Sequence, residues 1–443
     1  METKTMWQKW QNGMRKGAAV FVVGTAAVVA CDPFSVEDPA RFTDSALDSA
    51  LQAVANGVEG QFHLSMDDYI TADALLSDVF RHTGTWTDYE DGYLGRYRYG
   101  NSAGNGKPDG VFNNWLRARY ASLDAQKRFI RMGVADNDPK MVQVRAVEAW
   151  INLYLGESWC EAPADSGGPA VADAQLLQLA ITNLTDARNL AQAAGLTRWV
   201  DYTTAGLARA NLLAENYAAA ATEAGKLPTT FQENAKFSSN SAPQYNSMVN
   251  LNTVGFNKAA GMRNKWWNQV DTLASKLIDP WSGQLDSRVE IRHPPKTGSE
   301  SGLGVDGTTP FYSQWKYKAW TDDIPITHGR EMRLIEAEVF WRNSQLDSAM
   351  ARMNALRART GVALPALPAT ADPNVVRDYL LSERFAELFM EGHRMSDLYR
   401  FNLVAATAGL GAGRLMRFPL SQFEAIWNEN IDDVSSQRCQ PIS

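Results

Sequence analysis

The chain has 443 residues, 45% of them hydrophobic and 21% charged, with a formal charge of −7. An acidic balance disfavours nucleic acid and anionic lipid as partners. Beyond residue 30 no run approaches the roughly 20 apolar residues of a membrane span.

The first element is a leader. Lys4, Lys9, Arg15 and Lys16 precede the short apolar run Gly17 to Ala30, which reads as the n- and h-regions of a signal peptide over 1–30. The run ends Val28-Val29-Ala30-Cys31. Small residues before a cysteine suit a lipoprotein signal peptidase, and the Cys31 thiolate is the nucleophile that accepts lipid. Acyl chains on Cys31 would tether the protein, each buried CH₂ contributing about 0.8 kcal/mol. Removing a leader of net +3 (four basic residues and Glu2) takes −7 to −10. Residues 31–43, with Pro33 and Pro39, read as a lipidated stalk. Residues 44–443 read as a single globular domain.

That domain is expected to be mainly α. Asp44 to Gly57 is amphipathic, with Leu47, Leu51, Val54 and Val58 at helical spacing. His82 to Tyr99 is loop-like and aromatic. Helices follow over Leu116 to Met132 and Met141 to Leu155. Leu177, Ala180, Leu184, Ala187 and Ala191 mark another, with Gly195 as its C-cap. Thr204 to Ala214 and Tyr217 to Gly225 are short and Ala-rich, joined tightly at Glu215-Asn216. Small residues let two antiparallel helices approach closely, as in a tetratricopeptide unit, and Glu331 to Trp341 with Leu346 to Thr360 repeats the pattern. Such units bury their apolar faces only by stacking, so they are expected to form a scaffold over about 110–228 and 326–401.

Between them, about 229–325 is rich in Asn, Ser, Gly and Pro. It also holds Trp266, Trp267, Trp281, Phe311, Tyr312, Trp315 and Trp320. A disordered linker would not carry so many rings, so the segment reads as an ordered, irregular, ligand-binding region. Sugars present flat C–H faces that stack on such rings. Trp86, Asp88 and Tyr89 are the first candidates for ligand contact, and Trp266, Trp267, Tyr312 and Trp315 the next. Near the C-terminus, Asp372 and Pro373 start a helix. Its apolar face would run unbroken through Leu381, Phe385, Leu388, Gly392, Met395 and Tyr399. Beside it Arg394 is three residues from both Glu391 and Asp397, which predicts a ladder of mutual pairs.

Once Cys31 is acylated, Cys160 and Cys439 remain, and in an exported protein such a pair is expected to form a disulfide. The five histidines are scattered without an i,i+4 pair, so no metal site is expected. No Gly-x-Ser-x-Gly, phosphate loop or dinucleotide fingerprint is present, so no cofactor is expected.

Ser382-Glu383-Arg384-Phe385-Ala386-Glu387-Leu388-Phe389-Met390-Glu391-Gly392-His393-Arg394-Met395-Ser396-Asp397-Leu398-Tyr399-Arg400 resembles the C-terminal signature of the SusD-like (RagB/SusD) family. That pattern is Glu-Arg, Glu-Leu, Glu-Gly-x-Arg and Asp-Leu-x-Arg. Leu155-Gly156-Glu157 with Pro163 is similar to its early Gly-to-Pro turn. Gln314 to Tyr317 and Glu331 to Glu338 resemble the entry to its late repeats. Arg417-Phe418-Pro419-Leu420 with Glu424 and Asn428 resembles its closing pattern, departing at Leu420-Ser421. The resemblance implies an outer-membrane lipoprotein facing the exterior. It would bind a glycan or other nutrient without transforming it, as a lid over a TonB-dependent transporter, the SusC-like barrel. Asp32 after Cys31 is an inner-membrane retention signal in some bacteria, so leaflet and membrane rest on the resemblance. Two other classes compete. A tetratricopeptide lipoprotein could scaffold an envelope assembly. An all-helical glycoside hydrolase would need two facing carboxylates, drawn from Asp67, Asp68, Asp88, Asp91, Asp322 and Asp323.

Overall fold

A computed structural model of the chain describes residues 44–97, 105–165, 167–252, 258–293, 302–403, 410, 413–431 and 439. The chain parts into two units at residue 50. The first contributes one short helix, α1 (Asp44–Ser49). The amphipathic pattern read across Asp44 to Gly57 is therefore interrupted at Ala50.

The second unit is mainly α. It opens with α2 (Leu51–His63) and α3 (Met66–Leu76), and the aromatic segment after them is not all loop. It forms β1 (Phe80–His82) and α4 (Thr87–Leu94). Next come α5 (Lys107–Arg131) and α6 (Pro139–Ser158). Pro108 and Pro139 occupy first-turn positions where no helical N–H is needed, and the Asp138 carboxylate accepts the Lys140 N–H. A short hairpin of β2 (Glu161–Pro163) and β3 (Ala170–Ala172) leads to α7 (Asp173–Ala193), α8 (Thr197–Leu213) and α9 (Tyr217–Gly225). The helix expected from Thr204 starts at Thr197, because Trp199 and Tyr202 already point into the core.

The intervening region is built from short strands: β4 (Gln232–Ala235), β5 (Ala260–Met262), then, after the one-turn helix α10 (Asn264–Trp267), β6 (Val270–Asp271), β7 (Lys276–Ile278), β8 (Leu285–Arg292), β9 (Ser313–Gln314) and β10 (Ile324–His328). Strands β6 to β9 form one antiparallel sheet. Strand β5 pairs with β1, Arg81 opposite Gly261, and β10 pairs with β4. The insertion is thus paired to β1 before it, and its first strand β4 to β10 at its end.

A second helical pair, α11 (Gly329–Arg342) and α12 (Leu346–Ala358), follows β10. It stacks on the earlier pair across the insertion. Arg333 donates to the carbonyls of Ala224 and Leu227, and the Arg342 guanidinium lies 4.9 Å from the Tyr217 ring centre. Ala208, Ala220 and Ala224 are fully buried, so the small side chains do let these helices close in.

The final long helix is not continuous. Helix α13 (Pro373–Glu387) starts as its cap predicts, with Asp372 accepting the Asn374 N–H, but it stops six residues before α14 (Arg394–Arg400). Met390 and Gly392 turn into the left-handed region, at φ 56° and 77°. Side chains from elsewhere take the freed carbonyls: Lys316 donates to Phe389 O, Tyr317 to Met390 O and Tyr69 to Gly392 O. The break splits the apolar face between two cores. Phe385 and Met395 join a large one with Phe62, Tyr69, Trp115 and Trp159, while Leu388 joins a smaller one with Leu334, Met353 and Leu380. Tyr399 stays half exposed. The last helix among the described residues is α15 (Gln422–Trp427).

Candidate functional site

The charged residues around the α13–α14 break face inward. Buried carboxylates and guanidiniums are tolerated only when paired and hydrogen-bonded, and each finds its partner on another element. Arg394 forks onto Asp78 at 2.7 and 2.8 Å, not onto Glu391 or Asp397, which corrects the expected ladder. Glu383 binds Arg357 and Arg288 at 2.5 and 2.6 Å. Arg384 holds Asp397 at 2.9 Å, and Arg400 bridges Asp397 and Glu338. Glu391 receives Lys316 at 2.5 Å and lies 3.0 Å from His328 Nε2, while His328 Nδ1 accepts the Glu331 N–H and caps α11. The helix expected to lie beside its own charges is cut short, so Arg394 turns away from its i±3 neighbours Glu391 and Asp397, while Arg400 keeps Asp397.

These pairings set protonation. Burial alone would raise the Glu391 carboxyl, but Lys316 and His328 bring it far below the usual range. Burial also opposes ionisation of Asp78, and Arg394 with Lys265 overrides it. Asp73, whose side chain accepts the Met395 N–H, is pushed up to about 8 by burial. The network locks elements together; its carboxylates are buried, and only cations at its edge, Lys316 among them, are partly exposed.

The aromatic candidates divide by exposure. Trp86 is 40% exposed at the start of α4, where its carbonyl accepts the N–H groups of Tyr89 and Glu90. Its ring stands edge-on to Tyr89 at 5.0 Å. Tyr89 itself is buried under Lys107, which pairs with Asp68, and burial pushes its hydroxyl up to about 12. Asp88 is half-buried, its carboxyl against Gly106. The loop before Trp86 is tied down: Thr83 Oγ1 donates to Lys258 O at 2.7 Å and Thr83 O accepts the Asp306 N–H at 3.0 Å.

Trp266 is a core residue. It stacks flat on Phe385 at 3.6 Å and donates from Nε1 to Asp78 O, so the structure places it inside rather than on a binding surface. The Trp267 side chain lies outside the described residues, as does Cys31. Tyr312 and Trp315 are half-buried, each with a ring face covered: Tyr312 by His293 at 4.3 Å, Trp315 by the Arg292 guanidinium at 4.7 Å. The strands gather these positions. Met262 on β5 donates to Tyr312 O, and Trp315 donates to Glu290 O on β8. One ring pair escaped the sequence reading. Trp320, 45% exposed, stacks on Tyr245 at 4.6 Å and 8° between planes, fixed by Asn246, which donates to Trp320 O and Asp322 O. Tyr245 lies in an Asn/Ser-rich stretch with nothing local to mark it.

The carboxylates considered for hydrolysis are otherwise engaged. Asp67 is buried, accepts the Ser247 N–H, and is raised by burial and by Asp68. Asp322 accepts the N–H groups of Lys318 and Ala319, and Asp323 pairs with Lys236. Among the described residues no group of three or more His, Cys, Asp or Glu could hold a metal ion, and no helix is long and apolar enough to cross a membrane. Cys160 and Cys439 are joined in a disulfide, their Cα atoms 5.2 Å apart.

Residues 313–440 match the model of the SusD family. No curated protein matches. Solved structures with the same fold include a SusD superfamily protein from Bacteroides thetaiotaomicron, 16% identical at a TM-score of 0.60, covering 87% of this chain and 97% of that one. A SusD superfamily protein from Bacteroides vulgatus is 15% identical at 0.59, covering 88% and 92%. A laminarin-binding SusD-like protein is 12% identical at 0.57, covering 87% and 98%. Residues 313–440 are thus similar to the SusD family, and the chain shares the fold of these solved structures.

Proposed function

We propose that this SusD-like chain captures a glycan or related nutrient at the cell surface and passes it, untransformed, to a TonB-dependent outer-membrane transporter. In this reading residues 1–30 are removed, Cys31 carries the lipid, 31–43 form a stalk, and the remainder is the binding domain in the outer membrane. The observation that carries the binding role is Trp86: a large ring, 40% exposed, held at a helix start over a buried tyrosine. An exposed indole on a rigid base offers a C–H-stacking platform at low entropic cost. The laminarin-binding neighbour supports a carbohydrate ligand and makes laminarin a first probe. Affinity electrophoresis through gels containing laminarin, xylan or pectin tests this. Trp86→Ala should weaken retention by about 1–3 kcal/mol without unfolding the protein. Sustained turnover of any of these polysaccharides would overturn the reading. For the anchor, Cys31→Ala should abolish labelling by radioactive palmitate and release the protein from membranes. For the hand-off, a transporter barrel should co-purify from detergent extracts; recovery of an envelope assembly machine instead would favour a scaffold.

A further inference from the structure

Strands β4, β8 and β10 and the end of α13 surround an open basin of about 660 Å³, within the size range of small-ligand sites. Its charges are graded by depth. Glu387 and Glu391 form the back wall and are buried, their oxygens already engaged: Glu387 by Arg330 at 2.8 Å and Arg359 at 2.6 and 2.8 Å, Glu391 by Lys316 and His328. The cations stand in front of them. Lys316, Arg330 and Arg359 are each about a quarter exposed and Lys318 about half. The other charges are accounted for. Arg288 is taken up by Asp286 and Glu383, Asp322 turns into its own loop, Asp323 pairs with Lys236, and Glu290 pairs with Lys318. At the back wall Arg330 and Arg359 share the single Glu387 carboxylate, which Arg288 also approaches at 3.5 Å. A solute entering the basin therefore meets these N–H donors beside two partly exposed acids already paired with lysines, Asp323 and Glu290, while Glu387 and Glu391 lie behind. Guanidiniums suit carboxylate and sulfate because their paired N–H groups bind two oxygens at once. Trp320, between the lining residues Lys318 and Asp322, presents one exposed ring face while Tyr245 backs the other.

We infer that this basin seats the anionic group of an acidic glycan, a uronate carboxylate or a sulfate ester, with Trp320 carrying the adjoining sugar ring. The inference rests on the glycan-binding reading and names the ligand class. Titration calorimetry of the full chain with polygalacturonate, chondroitin sulfate and laminarin tests it at low and high salt. At least one acidic polymer should bind about 10-fold or more tightly than laminarin at low salt, and the preference should shrink at high salt as screening sets in. Polygalacturonate against chondroitin sulfate separates carboxylate from sulfate. Lys318→Gln and Trp320→Ala, both at exposed positions, should each weaken acidic-glycan binding by about 3-fold or more, and Lys318→Gln should leave laminarin binding unchanged. Arg359→Gln should act in the same direction, with a thermal melt to check its fold. Binding of laminarin alone, equal binding of all three, or indifference of acidic-glycan binding to the Lys318 and Trp320 changes overturns the inference and leaves the glycan reading standing. Binding of none, here and across a wider glycan panel, overturns both.

Discussion

The Asp73 carboxyl is pushed up to about 8 because burial outweighs its bond from the Met395 N–H, and Glu157, Asp397 and Asp78 add to the effect. In the unfolded chain it would ionise near the ordinary aspartate value of 3.8. The native state therefore binds the extra proton between those two values. The stability this contributes is complete below the unfolded pKa and is lost as pH rises to about 8. Asp73→Asn keeps shape and acceptor but has no charge to bury. Its stability relative to the parent should grow by up to about 1.4 kcal/mol per pH unit across that window and then level off. Parallel melting curves for the two proteins from acid to alkaline pH would refute this. His63 behaves oppositely: burial lowers it from 6.5 to about 4, so its neutral form stabilises above 6.5 and that contribution is lost as pH falls to about 4. At this scale the sequence was legible in kind, not in partner. Glu383, Arg384, Glu387, Glu391, Arg394, Asp397 and Arg400 stood out as one charged set, yet Arg394 meets Asp78, 316 residues away. Helical spacing carries no information about such a contact.

Helices were the most legible elements, and their terminations the least. Tyr217–Gly225 and the Asp372-Pro373 start of α13 follow from small residues, aromatic placement and capping chemistry. The turns inside both helical pairs are closed alike, with Asn216 donating to Asn211 O and Gln345 to Phe340 O. Their left-handed residues are Glu215 and Ser344 rather than glycine, so the usual signal was missing. The α13–α14 break did carry a glycine, but an unbroken run of heptad-like apolar steps concealed it. Gly392 now has a testable role. At φ 77° a Cβ there would meet the Tyr69 ring at 2.4 Å, and Tyr69 also donates to the Gly392 carbonyl. Gly392→Ala should cost more than about 2 kcal/mol, combining left-handed strain with the clash. Gly57, exposed within α2 with nothing within 4 Å of a Cβ, should respond oppositely. Gly57→Ala should stabilise by about 0.5–1 kcal/mol through helix propensity alone. Urea midpoints measure both, and a neutral Gly392→Ala would mean the break can relax around a side chain.

For the whole molecule, the mainly α scaffold with an aromatic insertion was legible from composition and repeat. Its assembly was not, because the contacts that close it join distant segments. Strands of two to eight residues tie the insertion to β1 before it and β10 after it, too short for period-two patterning to register. The end of the chain returns to its first half in the same way. Leu415 donates to Gly95 O, Phe418 to Ser158 O and Cys160 to Phe418 O, and Arg417 reaches the Gly156 carbonyl and Asp173. The Cys160–Cys439 disulfide adds a covalent closure across 279 residues at that seam. Closing so long a loop restricts the unfolded chain, which the chain-entropy model values at about 5–6 kcal/mol. The hydrogen bonds at Phe418 and Arg417 do not depend on the sulfurs, so the native fold should survive their removal while its margin shrinks. The Cys160→Ser, Cys439→Ser double variant should therefore keep the parent's circular dichroism and glycan affinity but unfold at lower urea, by an amount in that range. Its unfolding should also become indifferent to reductant, whereas the parent's midpoint should fall when reductant is added. An unchanged midpoint in the variant would show that the seam is held by its hydrogen bonds and ion pairs alone, and that the unfolded chain gains nothing from release of the loop.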